Sequence, residues 1–223
     1  MKLFLLLVSG IGAWAQLESP RIGMMLDENN RARPVIGVPT AAMLGDPWFD
    51  APIISLSCSA YACLAKTESA LVSSSGEKVD TPPGAVLIAW EPGADGAAYV
   101  YFVETRQLAR WSRGQLDLID FTPDGDVVSL RATANGYDYV TSRDDDAATC
   151  TLLLDGGGVL LASDGQIRLL RADGTEANFA VADVGGFIRM SDRYVQVITS
   201  TGMWALDLQP GHEQLFLLPG VPQ

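Results

Sequence analysis

Three Asp-Gly pairs, Asp155-Gly156, Asp164-Gly165 and Asp173-Gly174, recur at nine-residue intervals within TLLLDGGGVLLASDGQIRLLRADGTEANFAVAD, Thr151 to Asp183. Asp-Gly supplies the positive φ angles that a tight hairpin needs. The segments between the pairs (VLLAS, QIRLLRA, EANFAVA) are too short for helices and of ordinary strand length, so each pair is expected to reverse the chain. A chain with this metre is committed locally to antiparallel strands, and the fold class that follows is all-β.

The rest of the sequence repeats the plan with longer turns. The clearest unit runs AVLIAW (Ala85 to Trp90), AYVYFVE (Ala98 to Glu104), LARWS (Leu108 to Ser112) and QLDLIDF (Gln115 to Phe121). A second runs FIRMS (Phe187 to Ser191), YVQVITS (Tyr194 to Ser200), MWALDL (Met203 to Leu208) and QLFLL (Gln214 to Leu218). At an offset of 95, Tyr99-Val100 falls on Tyr194-Val195 and Leu108 on Met203 without a gap. A third unit, IISLSCS, ACLAKTE, ALVSSSG and EKVDTPPG, ends at Pro82-Pro83-Gly84. Before it stand a lone hairpin, RIGMMLD and RPVIGV, and a stretch from Pro39 to Pro52 that reads as irregular, with Trp48-Phe49 as a lid over one end of the core. Between the units, VVSLRAT and YDYVTSR precede the Asp-Gly metre, and the boundaries there stay open.

A four-stranded antiparallel meander repeating every 30 to 45 residues or so is the signature of a β-propeller. These repeats resemble those of the broad WD40-like β-propeller group of secreted bacterial proteins, over most of the chain. The resemblance implies a disc with a central channel that presents loops to partners, and no particular activity. Residues 16–223 divided by about 40 per blade give about five blades. The lone hairpin, Arg21 to Val38, is expected to pair with C-terminal strands and close the ring, because an isolated hairpin is marginal in water. Short strands at regular spacing also suit a β-sandwich, the alternative architecture. Apolar side chains expected between the sheets include Val86, Tyr101, Val103, Leu116 and Leu118 in the clearest unit, and Val195, Val197, Trp204, Leu206 and Leu217 in the last.

The first fifteen residues have the form of a secretory signal: Lys2, an apolar run from Leu3 to Val8, and Ala13-Trp14-Ala15 as a cleavage site before Gln16. The run is far shorter than the roughly 20 residues a membrane-spanning helix needs. The expected organisation is therefore a signal peptide, 1–15, and one domain, 16–223, secreted or periplasmic, with no membrane span in the mature chain. In an oxidising compartment, Cys58 and Cys63, bracketing Ser59-Ala60-Tyr61-Ala62 between two strands, are placed to form a disulfide. Two buried thiols are the alternative. Cys150, in ATCTLLLD, is expected as a packed strand residue.

Acidic residues number 27 against 15 basic ones, a net charge of −12, which disfavours nucleic acid and anionic membranes as partners. Few residues point to chemistry. The single histidine, His212, sits in the turn Gln209 to Glu213, and no G-x-S-x-G elbow occurs. Asp124-Gly125-Asp126 and Asp144-Asp145-Asp146 lack the spacing of a calcium loop and read as solvated loops, so no metal or cofactor is expected. The function expected is a non-enzymatic binding or scaffold module for a protein or glycan. The alternative is a glycan-acting hydrolase using paired carboxylates at the channel, with Glu91, Glu104, Asp117 and Asp120 as candidates.

Overall fold

A computed structural model describes residues 20–93, 96–142 and 150–220. The cleavage-site residues Ala13, Ala15 and Gln16 and the run Asp144-Asp145-Asp146 lie outside the described residues. Within them the chain is all-β, and no helix is long and apolar enough to cross a membrane.

An N-terminal sheet holds β1 (Arg21–Leu26), β2 (Ala32–Val38) and β3 (Ala41–Leu44) in that order. Sheet one holds β4 (Ser55–Cys58), β5 (Cys63–Lys66), β6 (Ala70–Ser73) and β7 (Lys78–Asp80). Sheet two holds β8 (Val86–Trp90), β9 (Ala98–Phe102), β10 (Gln107–Ser112) and β11 (Gln115–Ile119). Among the described residues sheet three holds β12 (Val127–Thr133) and β13 (Gly136–Thr141). Sheet four is the Asp-Gly stretch: β14 (Cys150–Leu153), β15 (Val159–Ser163), β16 (Gln166–Leu170) and β17 (Glu176–Ala180). Sheet five holds β18 (Val184–Arg189), β19 (Tyr194–Thr199), β20 (Gly202–Asp207) and β21 (Gln214–Leu217).

All three Asp-Gly pairs reverse the chain, each differently. Asp164 and Gly165 take φ of 48° and 76°, the two positive angles of a two-residue turn closed by Ser163 and Gln166. At Asp173-Gly174 only the glycine is left-handed, and the Asp173 carboxylate accepts from Thr175 N at 2.9 Å. Asp155-Gly156 lies in a short 3-10 turn between the paired residues Leu153 and Val159.

The first strands of the five sheets pack in a circuit: β4 on β8, β8 on β12, β12 on β14, β14 on β18, and β18 back on β4. Only the last junction is a ladder, a single parallel pair between Arg189 and Ser57 that merges sheets five and one into eight strands. At other junctions side chains bridge the splayed backbones. Ser55 Oγ accepts from Val86 N at 3.0 Å, Ser129 Oγ from Leu153 N at 2.8 Å, and Arg189 donates to Leu153 O at 3.2 Å. Ser129 and Arg189 are buried, so these bonds answer backbone groups that water cannot reach.

The N-terminal hairpin does not pair with C-terminal strands as expected. It acquires its own third strand through the two-residue turn Pro39-Thr40, in the stretch read as irregular, and docks through side-chain packing and a few hydrogen bonds without forming a ladder. One face, Ile22, Met25 and Val35, meets Met190, Tyr194, Ala205 and Leu218 of sheet five. The other, Leu26 and Ala32, meets Ile53, Leu56, Cys58 and Ala65 at sheet one, with Trp48 and Phe49 closing that cluster. Gly23 makes the docking possible: its φ is +153°, and a Cβ there would lie 2.3 Å from Met190 O, the carbonyl that accepts from Met24 N at 3.1 Å.

Two further expectations are corrected. The gap-free match of the second and third strands does not carry into register: Val100 pairs with Ala109, but Val195 pairs with Leu206, because the last unit turns in two residues, Ser200-Thr201, where the earlier one uses four. Val103, Leu118 and Leu217 are exposed, at 39%, 70% and 41%, because they lie beyond a strand end or on an outermost strand where no neighbouring sheet covers them.

Candidate functional site

The circuit of first strands encloses a cavity of about 680 Å³. Its wall is aliphatic with scattered hydroxyls, such as Leu56, Ile88, Leu130, Leu152, Ser129 and Thr151. Among the described residues no carboxylate lines it, and its one cation, Arg189, is turned to Asp155 and Leu153 O. The Cys150 thiol lines it too, and burial pushes that thiol up from its ordinary value, so it stays protonated. The candidate carboxylates do not converge here. Glu91 is held by Arg110 in two bonds of 2.5 and 2.8 Å, Glu104 lies in the exposed turn after β9, and Asp117 and Asp120 lie on and just beyond the outermost strand of sheet two. His212 is exposed in its turn, and Asp126 faces Arg106 at 3.8 Å.

A larger concavity, about 940 Å³, opens where the N-terminal sheet meets the β4–β5 and β18–β19 hairpins. The sequence builds it from local pieces. Cys58 and Cys63 face each other across β4 and β5 and are joined by a disulfide, S–S 2.01 Å. Ser59 finishes the turn inside that bridge: its N donates to Ala62 O at 2.8 Å, and its hydroxyl accepts from Tyr61 N and Ala62 N, both at 3.2 Å. Asp192, from the β18–β19 turn, accepts from Ala60 N at 2.8 Å and ties the two hairpins together. The result is a fixed tip that holds Tyr61 81% exposed.

The lining shared with Tyr61 is largely apolar, with Ile22, Met24, Ile36, Pro39, the half-exposed Val38 and Trp48, and also carries Arg21 and Asp46. Trp48 is set by its backbone N–H donating to Ala32 O at 2.7 Å and by an edge-to-face contact of its ring with Phe49, centroids 5.1 Å apart. At the rim, Arg193 binds Asp207 through two bonds of 2.8 and 2.5 Å and lies 5.0 Å from the centroid of the Tyr194 ring. Burial alone would raise the Asp207 carboxyl, but Arg193 and the Gln209 N–H outweigh it and hold the group below the usual carboxylate range. Arg193 and Asp207 are therefore a locked pair at the rim, and the surface open to a partner combines aromatic and aliphatic groups with the exposed Arg21 and Asp46.

Tyr61 and the serines Ser55, Ser57 and Ser129 were not singled out by sequence. For Tyr61 a signal existed, an aromatic inside a four-residue loop bracketed by two cysteines. The serines have none, since their partners lie on other sheets.

No protein-family profile and no curated protein matches the chain in sequence. Among solved structures it is similar to PorZ of Porphyromonas gingivalis, described as an essential bacterial surface component of the type-IX secretion system, with a TM-score of 0.52 and 10% identity over 86% of this chain and 36% of that one. The chain thus spans about a third of that protein's length. It is also similar to a streptogramin B lyase (TM-score 0.46, 10% identity, 90% of this chain and 84% of that one) and to YCF48 from Cyanidioschyzon merolae (0.41, 12%, 92% and 87%). These structures are β-propeller-like. The fold of this chain is propeller-like as well, and at such identities the likeness concerns the fold alone.

Proposed function

We propose that the protein is an exported binding module: a ring of five blades, sheets one to five, closed at the β18–β4 junction, with the N-terminal sheet wedged between the last blade and the first. The ring reading is supported by the circuit of first strands around a common cavity and by the parallel pair of Arg189 and Ser57. Export is supported by the signal-like first fifteen residues and by the Cys58–Cys63 disulfide, a bond that persists in oxidising compartments.

The ligand we assign to the groove is an apolar segment of a partner protein. The observation that carries this is Tyr61, 81% exposed on a hairpin fixed by a disulfide and lining a concavity with aliphatic residues of the N-terminal sheet. Exposed aromatics on rigid supports are the usual anchors of protein interfaces, because little conformational freedom is lost when they are covered. An apolar segment is favoured over a glycan because apolar residues predominate in the lining, where Arg193 is already engaged by Asp207 and the charges free among the described residues are Arg21 and Asp46.

The test is selection of displayed peptides on the intact protein, followed by titration of the selected peptides against the protein and a Tyr61→Ala variant. Peptides rich in apolar residues should emerge, and Tyr61→Ala should weaken them by roughly 30-fold or more, the effect of losing an interfacial hot spot of about 2 kcal/mol. The melting temperature should stay unchanged, because the side chain is solvent-covered on most sides. Selected peptides that bind the variant equally well, or soluble oligosaccharides that bind in their place, would contradict the assignment.

A further inference from the structure

Sheet three is two strands wide within the described residues, while the sheets on either side of it have four. Among the described residues β13 pairs only with β12, and its outer edge has no partner strand there. The orientation of that edge can be read from the ladder. Ser142 N donates to Asp126 O at 2.8 Å, and backbone direction alternates along a strand, so Gly136, Asp138 and Val140 turn their groups to β12. Tyr137, Tyr139 and Thr141 turn theirs outward. Edges of this kind are normally covered, charged with lysine or kept very short; β13 is six residues long and carries no lysine.

The walls beside the edge are formed. Tyr137 and Tyr139 meet Phe121 edge to face, centroids 5.6 and 5.1 Å apart, and Tyr137 meets Tyr99 at 5.2 Å. This aromatic bank belongs partly to sheet two and holds β13 in place against it. The charges around it are unbalanced. Among the described residues, Arg106 pairs with Asp126, Arg110 with Glu91, Arg131 with Asp138 and Arg168 with Glu176. Asp117, Asp120 and Asp124, all exposed, form no ion pair among the described residues.

We propose that β13 is a strand-addition site for an extended, cationic segment of a partner protein. The open backbone groups of Tyr137, Tyr139 and Thr141 would supply the ladder, the Tyr-Phe bank would take apolar side chains from one face of the added strand, and the unpaired aspartates would favour lysine or arginine in it. A second copy of this chain is disfavoured at the same edge, since it would bring two molecules of net charge −12 together at their acidic rims. The site is separate from the groove that holds Tyr61 and does not depend on it.

The probe is a short synthetic peptide alternating lysine and valine, with its glutamate-valine counterpart as control, titrated by NMR into the full chain. The lysine peptide should bind, protect the amides of Tyr137, Tyr139 and Thr141 from exchange, and lose affinity as salt rises. Thr141→Pro removes an outward N–H that β12 does not use and should weaken binding roughly tenfold or more. Asp117→Lys with Asp120→Lys, both on exposed positions, should do the same and stands in if the proline variant fails to fold. Binding of both peptides alike, protection at Tyr61 in place of β13, affinity unchanged in these variants, or self-association of the protein through β13 would each overturn the proposal.

Discussion

Replacing Trp111 by alanine is expected to destabilise the protein by about 3–5 kcal/mol, the range for deleting a fully buried large aromatic. Trp111 is 2% exposed. On sheet two it stands opposite Ala98 of β9 and Leu116 of β11, and its ring reaches the cluster formed by Leu64 and Leu71 of sheet one with Trp90 and Val100. One side chain thus fills the space between two sheets, and neither can collapse into the void while its own ladders hold. The midpoint of chemical denaturation should fall accordingly. Leu118→Ala, seven residues on, is the control: Leu118 is 70% exposed on the outermost strand and should change stability by about 0.5 kcal/mol or less.

Gln196→Leu is the second large effect, at about 2–6 kcal/mol. Gln196 is fully buried in β19, and its amide clamps the backbone of β1: Leu26 N donates to Gln196 Oε1 at 3.0 Å, and Gln196 Nε2 donates to Leu26 O at 2.8 Å. Leucine conserves the volume and cannot serve either group, so a buried N–H and a buried C=O lose their partners together, at about 1–3 kcal/mol each. The loss concerns the seam between the N-terminal sheet and sheet five. A calorimetric scan should therefore show a lower melting temperature, and the variant should also loosen the groove floor that β1 provides.

What could be read from the sequence was whatever is specified locally. Asp164-Gly165 fixes a two-residue turn by its own φ preferences, and runs such as VLIAW and AYVYF are apolar at successive positions because both faces of sheet two are covered. The Cys58–Cys63 pairing followed from two strands and a four-residue loop. What escaped depended on distant partners. Strand β3, AAML, has weak strand propensity and exists because Val38 and Ala41 close a turn on an existing strand. Gln196 looks like an interruption in YVQVIT until Leu26, 170 residues away, is placed against it. Leu118 and Leu217 have the alternation of core residues but belong to outermost strands, and alternation does not say which strand ends a sheet. The groove escaped for the same reason. Its walls come from residues near 22, 36, 48, 61 and 193, no two of which form a motif.

The central claim is that the N-terminal sheet is an integral wedge between the last sheet and the first. Hydrogen exchange at the amides of Met24 and Leu26 in the intact protein tests it most directly, because these groups donate across the seam to Met190 O and Gln196 Oε1. The account predicts protection comparable to that of Val195 and Val197 in β19, lost only when the whole domain opens. Rapid exchange at Met24 and Leu26 while Val195 and Val197 remain protected would contradict it, and would make the N-terminal sheet an appendage resting on a ring that is complete without it.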